Sequence, residues 1–261
     1  MWLDTQRVDS FTLSSPARVI YLKERSFAML KKDLILRNPL QRIGCGSTDI
    51  LPKGGFGAVL ARAGVGKTSL MVQLSLNSLL QSKNVLHISL VDPVRKVDLW
   101  YEEVFRHIAL QYHLDKTDEL WESILPHRFI MTFKVEGFSV PKLEERLTDL
   151  TEQGIFFPDL ILIDGLPFDE NARQQLMDLK SLATAYGVNV WFSVRTHRCE
   201  GGQDNVIPLE IQEISELIEL ALFLHPQGDE IQVKVVKGYP SDSPPPALYL
   251  DPSTMLVKGY D

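Results

Sequence analysis

A chain of 261 residues with 44% hydrophobic content can fill one sizeable core, and its length suits a single large α/β domain better than several small ones. With 23% charged residues and a net charge of -7, no global basic field attracts nucleic acid. No apolar run reaches the roughly 18 residues of a membrane span, and the start MWLDTQRVDS lacks the basic and apolar parts of a secretory signal.

Charge is unevenly spread, with nine Lys/Arg against five Asp/Glu up to Ala61 and 18 against 29 beyond it. Residues 1–40 are therefore expected to form a basic helical segment ahead of a domain over 41–261. Ser14 or Ser15 can cap that helix, Ile20, Phe27, Leu30 and Leu34 repeat at helical spacing, and Pro39 stops it. Cys45 and Cys199 lie far apart without metal or redox spacing, so a reduced, cytoplasmic setting is expected.

From there short apolar runs alternate with amphipathic helices. FGAVLA reads as a strand, and the helix after it carries Leu70, Met71, Leu74 and Leu80. NVLHISLV is the next strand, followed by a helix with Val97, Trp100, Val104 and Ile108 on one face. RFIMTF is a third strand, PKLEERLTDLTEQG a helix that Gly154 ends, and DLILID a fourth, continuously apolar strand. A helix with Leu176, Leu179 and Leu182 runs to Gly187, and VNVWFSV follows. Strands apolar on both faces and separated by helices predict a parallel sheet covered on both sides. ELALFLHPQGDEIQVKVVKGY then reads as two strands around a tight Gly-Asp turn and PALYLDPSTMLVKGY as another pair, an antiparallel extension of the sheet.

ARAGVGKTSL, Ala61 to Leu70, carries the first chemistry. Successive main-chain N–H groups converge on an anion only where the backbone angles are unusual, and Gly64 and Gly66 supply that freedom. A helix beginning there adds its positive dipole end. The loop Ala63, Gly64, Val65, Gly66, Lys67, Thr68 and Ser69 is the candidate phosphate cradle. Lys67 can reach the β- and γ-phosphates as a point charge, and the Thr68 hydroxyl can ligate Mg²⁺. Ala61 stands where the G-x-x-x-x-G-K-[ST] pattern has its first glycine. A carboxylate at the end of a neighbouring strand completes a metal site, and PDLILIDG offers Asp164.

These pieces in this order, GSTDILPKGGFGAVLARAGVGKTSLMVQLSL, VLHISLVDP, PDLILIDG and VWFSVRTHR, resemble the core of the RecA-like ATPases, especially the KaiC, RadA and DnaB-helicase branch, over roughly residues 40 to 240. The resemblance implies a three-layer P-loop NTPase core, binding of ATP with Mg²⁺, and a homo-oligomer, often a ring with nucleotide at subunit boundaries. It also implies a water-polarising glutamate within S-L-E-E-P, where this chain has SLVDP. Val91 falls on the first acid and Asp92 on the second. Asp92 is the candidate catalytic acid beside Lys67, and a helix cap ahead of Pro93 is the alternative. Arg195, Thr196 and His197 stand where the family senses the γ-phosphate. Lys237 matches the lysine of the family's K-x-R strand, which serves the neighbouring subunit's nucleotide, and Tyr239 replaces the arginine.

The loops GLPFDEN and RTHRCEGGQDN lack the basic, aromatic-lined character that strand binding favours, so DNA is a possible but disfavoured partner. Phe129 and Phe133 are expected in the core, and all six histidines as structural or surface residues. The expected function is MgATP binding with slow or conditional hydrolysis. The alternatives are a hydrolysis-deficient regulatory protein, which Val91 and Tyr239 favour, and a recombination or helicase accessory factor.

Overall fold

The computed structural model describes residues 28–43, 50–168, 172–196, 212, 214–239 and 244–259. The expected cap at Ser14 or Ser15, the apolar positions Ile20 and Phe27, both cysteines and His197 lie outside them. Within them, α1 (28–37) ends before Asn38, whose side chain caps the 3-10 turn Pro39–Arg42. Leu34 of α1 is buried.

The strands are β1 (Phe56–Ala61), β2 (Val85–Ser89), β3 (Arg128–Thr132), β4 (Leu160–Asp164), β5 (Asn189–Arg195), β6 (Leu220–Gln227), β7 (Glu230–Lys237), β8 (Leu248–Leu250) and β9 (Val257–Gly259). They form one sheet in the order β3-β2-β4-β5-β1-β6-β7-β8-β9. β3 to β6 in that order are parallel, and β7, β8 and β9 add antiparallel strands. The helices are α2 (Lys67–Leu80), α3 (Val94–Gln111), α4 (Thr117–Ile124), α5 (Val140–Glu152) and α6 (Ala172–Tyr186). Helix α4, with the short and charge-rich sequence TDELWESI, is not anticipated from periodicity. No helix among the described residues is long and apolar enough to cross a membrane.

Two cores flank the sheet. One joins α2, α3 and α4 to Val59, Val85, Leu160, Leu162 and Trp191. The other joins α5 and α6 to Ala58, Leu86, Ile161, Ile163 and Phe192. The molecule is thus a three-layer α/β domain, and strands buried on both faces explain the continuous apolar runs in the sequence. Successive side chains of a strand alternate between faces. Asp164 therefore shares a face with Leu160 and Leu162, and Ser193 shares it with Trp191. That face carries α2, which puts the polar strand ends beside the start of that helix.

Burial at the sheet's opposite end is tied down by a carboxylate. Glu219 accepts from the Phe56 main-chain N–H at 2.5 Å and from Lys180 Nζ at 2.6 Å. The Lys180 ammonium also lies 4.4 Å from the centre of the Phe56 ring. These contacts hold the entry of β1, the strand that delivers the glycine loop. Phe129 packs on Phe156 and Phe133 on Phe138, each pair with centroids 5.5 Å apart, so both half-buried rings pack against the second core.

Candidate functional site

The loop from Ala61 to Gly66 leaves β1 and enters α2. Gly64 and Gly66 have φ of 77° and 106°, the left-handed region that side chains resist. Gly66 is the N-cap of α2, with no side-chain cap bond. A Cβ there would stand 2.6 Å from Leu250 Cδ2, so the position excludes a side chain twice, by angle and by space. Ala61 is fully buried within the first core. Its methyl group fits at the strand exit, which leaves the turn to the two later glycines.

Lys67 opens α2 and folds back over the loop, donating from Nζ to the carbonyls of Ala61 at 3.0 Å and Arg62 at 2.9 Å. Burial lowers its pKa; Asp164 opposes that shift and Arg195 adds to it. A partly desolvated ammonium held, among the described residues, by neutral carbonyls is poised for an anionic acceptor. Ala63 and Gly64 are exposed beside it and Val65 half-buried, so the loop's outer surface is open to a ligand.

Asp164 is the hub of the polar end of β4. Thr68 Oγ1 donates to its Oδ2 at 2.7 Å, and Ser193 Oγ to its Oδ1 at 2.5 Å. Ser193 Oγ in turn accepts from the Gly165 N–H at 2.9 Å. Sequence reasoning anticipates Thr68 and Asp164 but not Ser193, although a serine inside VNVWFSV is the signal for a partner. A hydroxyl and a carboxylate at this distance are hard oxygen ligands that can share a divalent cation.

The end of β2 differs. Val91 is 73% exposed, and its Cγ2 lies where a Cβ on Gly165 would be, 2.4 Å from that position. An apolar side chain thus covers the residue following Asp164. The Asp92 main-chain N–H donates to Ser89 Oγ at 2.9 Å, and its carboxylate takes Lys96 Nζ at 2.8 Å. Helix α3 has Pro93 as N-cap with no side-chain cap bond. The alternative reading of Asp92 as a helix cap does not hold, and its carboxylate instead forms an i,i+4 ion pair one turn into the helix.

The remaining expected residues scatter. Arg195 ends β5, exposed, in register with Ala61 and close enough to Lys67 to influence its pKa. Thr196 is buried, and its N–H donates to the Ala61 carbonyl at 3.0 Å, a structural bond at the loop's base. Ser69 is fully buried and turns away from the loop, donating to the Met255 carbonyl at 2.9 Å. Lys237 pairs across from Ala221, which lies beside Ala58 of β1. It sits toward the far end of the sheet from the Ala61–Gly66 loop, with Nζ on the Ser215 carbonyl.

Beneath this site lies a network that spacing does not reveal. His87 of β2 is fully buried and faces α2 and α3. Tyr101 donates to Ser75 Oγ at 2.8 Å, so its oxygen accepts from His87 Nδ1–H at 3.0 Å. His87 Nε2 has no hydrogen-bond partner among the described residues. Burial drives the His87 pKa down to about 4, opposed by Asp164 and reinforced by Arg128. The Arg128 guanidinium lies 4.6 Å from the Tyr101 ring centre and pairs with Asp98. Burial and the Tyr101 contact place this histidine within the core on the α2 face of the sheet.

No protein-family model matches this chain. A search of curated proteins likewise finds no match.

Proposed function

We propose that this chain is a RecA/KaiC-like P-loop protein that binds ATP with Mg²⁺ and hydrolyses it slowly or conditionally. One observation carries the reading: Thr68 and Asp164, 96 residues apart, meet at 2.7 Å directly behind a left-handed glycine and the Lys67 ammonium. A glycine-rich turn, a lysine, a hydroxyl and a strand-end carboxylate in that arrangement suit a nucleotide's phosphates and its metal. Lys67 and the N–H groups from Gly64 to Ser69 would hold phosphate oxygens. Thr68 and Asp164 would hold Mg²⁺, which neutralises charge between the β- and γ-phosphates when bound. Arg195 is a further cation close enough to Lys67 to lower its pKa. The fit also asks for acceptors better than carbonyls at Lys67 Nζ, and phosphate oxygens are such acceptors.

The test is titration calorimetry with MgATP and MgADP alongside phosphate release. Wild type is expected to bind, and Lys67→Ala to weaken binding by about 100-fold or more, some 2.7 kcal/mol. Asp164→Asn is expected to weaken the Mg²⁺-dependent part alone. Wild type that binds neither nucleotide would overturn the proposal.

The end of β2 favours a second reading, a nucleotide-dependent regulatory protein that has lost hydrolysis and uses the bound nucleotide to set its assembly state. Val91 over Gly165 and Asp92 tied to Lys96 are the observations behind it. Tight binding without phosphate release selects this reading over the first. In either case a homo-oligomer follows from the resemblance, with Lys237 serving a neighbouring copy's nucleotide. A nucleotide-dependent change in sedimentation that Lys237→Ala abolishes is the expected result.

A further inference from the structure

The two carboxylate oxygens of Asp164 are held by different parts of the molecule. The main chain is fixed first, because the Leu90 N–H at the end of β2 donates to the Asp164 carbonyl at 2.9 Å. Oδ1 then accepts from the Ser193 hydroxyl of β5 at 2.5 Å, and Oδ2 from the Thr68 hydroxyl in the first turn of α2 at 2.7 Å. These two bonds differ in kind. A hydroxyl has one proton and two lone pairs. Ser193 is buried and directs a lone pair at the Gly165 N–H, 2.9 Å away, so its proton is aimed at Oδ1. Thr68 is half-buried beside the glycine loop, and its oxygen can turn lone pairs to a cation. Oδ1 is therefore committed to the interior of the fold, and Oδ2 to the space shared with Thr68. Nothing intrinsic to aspartate makes that choice. Its terminal torsion is broad and two-fold, so the carboxylate turns unless a neighbour stops it.

We propose that Ser193 sets the cation preference of this site: with Oδ1 occupied, Asp164 offers a cation one oxygen, and Mg²⁺ is favoured over Ca²⁺. The proposal rests on the nucleotide reading above. Mg²⁺ is small, demands near-ideal octahedral geometry, keeps several of its waters and takes single carboxylate oxygens. Ca²⁺ gathers about six to eight oxygens and readily uses both oxygens of one carboxylate. Ser193 acts through Asp164, as a positioning residue. A group that hydrogen-bonds a ligating carboxylate governs its orientation and with it the affinity for metal. Without the hydroxyl, Oδ1 is released, the carboxylate can turn both oxygens toward the space beside Thr68, and the stricter cation loses its advantage. The Gly165 N–H loses its acceptor as well. That loss falls on both cations alike, so the ratio of the two isolates the effect at Oδ1.

The experiment is calorimetric titration of the full chain with ATP in Mg²⁺, in Ca²⁺ and in a chelator, for wild type, Ser193→Ala and Ser193→Thr. Wild type is expected to bind ATP about tenfold or more tightly with Mg²⁺ than with Ca²⁺. Ser193→Ala is expected to bring the two to near parity, through about a tenfold loss of affinity with Mg²⁺ while affinity with Ca²⁺ holds. Its affinity in chelator is expected to stay within about twofold of wild type, which, with thermal melting, reads the loop and the fold apart from the cation. Ser193→Thr keeps a hydroxyl at the same position and is expected to keep the preference for Mg²⁺. A wild type that prefers Ca²⁺ or makes no distinction overturns the proposal. Ser193→Ala that leaves the ratio unchanged, or weakens binding equally with both cations, overturns it too, because the hydroxyl then serves the fold alone. Ser193→Thr that melts as wild type yet behaves as Ser193→Ala has the same consequence. Wild type that binds no nucleotide under any condition overturns the phosphate reading together with this one, whereas binding with an unmoved ratio overturns the role of Ser193 alone.

Discussion

The ends of β1 and β4 and the end of β2 lie on the same edge of the sheet, yet they are built to different standards. At β1 and β4 the polar groups converge: Thr68 and Ser193 donate to the two oxygens of Asp164, and the Lys67 ammonium rests on two neutral carbonyls. At β2 the side chain nearest Gly165 is a valine, and the one carboxylate is neutralised by Lys96. The first region gathers an ammonium, a hydroxyl and a carboxylate at one end of the sheet. Among the described residues the second offers a valine and a carboxylate that rests in an ion pair. On the proposed reading, the difference teaches that holding a nucleotide and acting on it rest on different strands and can be built or lost separately.

The largest expected effect breaks the holding region. Gly66→Ala places a methyl group at a φ of 106° and against Leu250 Cδ2 at 2.6 Å. Left-handed strain and overpacking together cost about 3 kcal/mol of folding stability. Nucleotide affinity is expected to fall alongside, because the loop can no longer aim its N–H groups. Chemical denaturation and calorimetry check both. A Gly66→Ala protein as stable as wild type shows that the loop does not need its left-handed turn.

Much of the holding region is legible in the sequence because its signals are local. Gly64, Gly66, Lys67 and Thr68 are contiguous, and Asp164 closes an apolar run that only a buried strand requires. The Gly-Asp hairpin between β6 and β7 is local as well. What escapes is long-range. That Ser69 serves Met255 rather than a ligand depends on the β8–β9 turn, 186 residues later, folding onto α2. Helix α4 escapes because TDELWESI is too short and too mixed for periodicity to declare itself. His87 and Ser193 follow from a rule that can be applied in advance: in a strand buried on both faces every position is interior, so each polar residue there requires a partner.

His87 sharpens the comparison from below. If it is neutral and structural, the β2 region holds no hidden acid or base. Its folded-state pKa of about 4 lies under the ordinary histidine value near 6.5. Its contribution is therefore intact above pH 6.5 and is lost as the unfolded chain takes up a proton on acidification, levelling off near pH 4. Between pH 7 and pH 5 the loss is about 2 kcal/mol. Urea denaturation across that range is expected to show a steeper pH dependence in wild type than in His87→Leu, the difference removing the background from carboxylates common to both. Equal slopes mean that His87 carries a proton when folded, and the β2 region is then not inert.

The smallest expected effects decide whether the acting region is empty or merely rearranged. Val91→Glu sets a carboxylate on the strand end beside Gly165, at a position 73% exposed, where neither folding nor phosphate holding depends on the valine. A positioned base contributes about 100-fold or more when its geometry is ideal. A side chain whose surroundings have not been shaped for it will fall short, so phosphate release is expected to rise about tenfold, some 1.4 kcal/mol of barrier. Asp92→Asn removes a carboxylate already committed to Lys96, and release is expected to change less than about twofold, within what a surface ion pair is worth. The two variants must be read together. If Asp92→Asn abolishes release while Val91→Glu adds nothing, the Lys96 pair opens during turnover and Asp92 is the base, so the difference between the strand ends is one of resting state. If Val91→Glu alone raises release, what β2 lacks is the carboxylate at Val91, and the surrounding cradle is competent to use one.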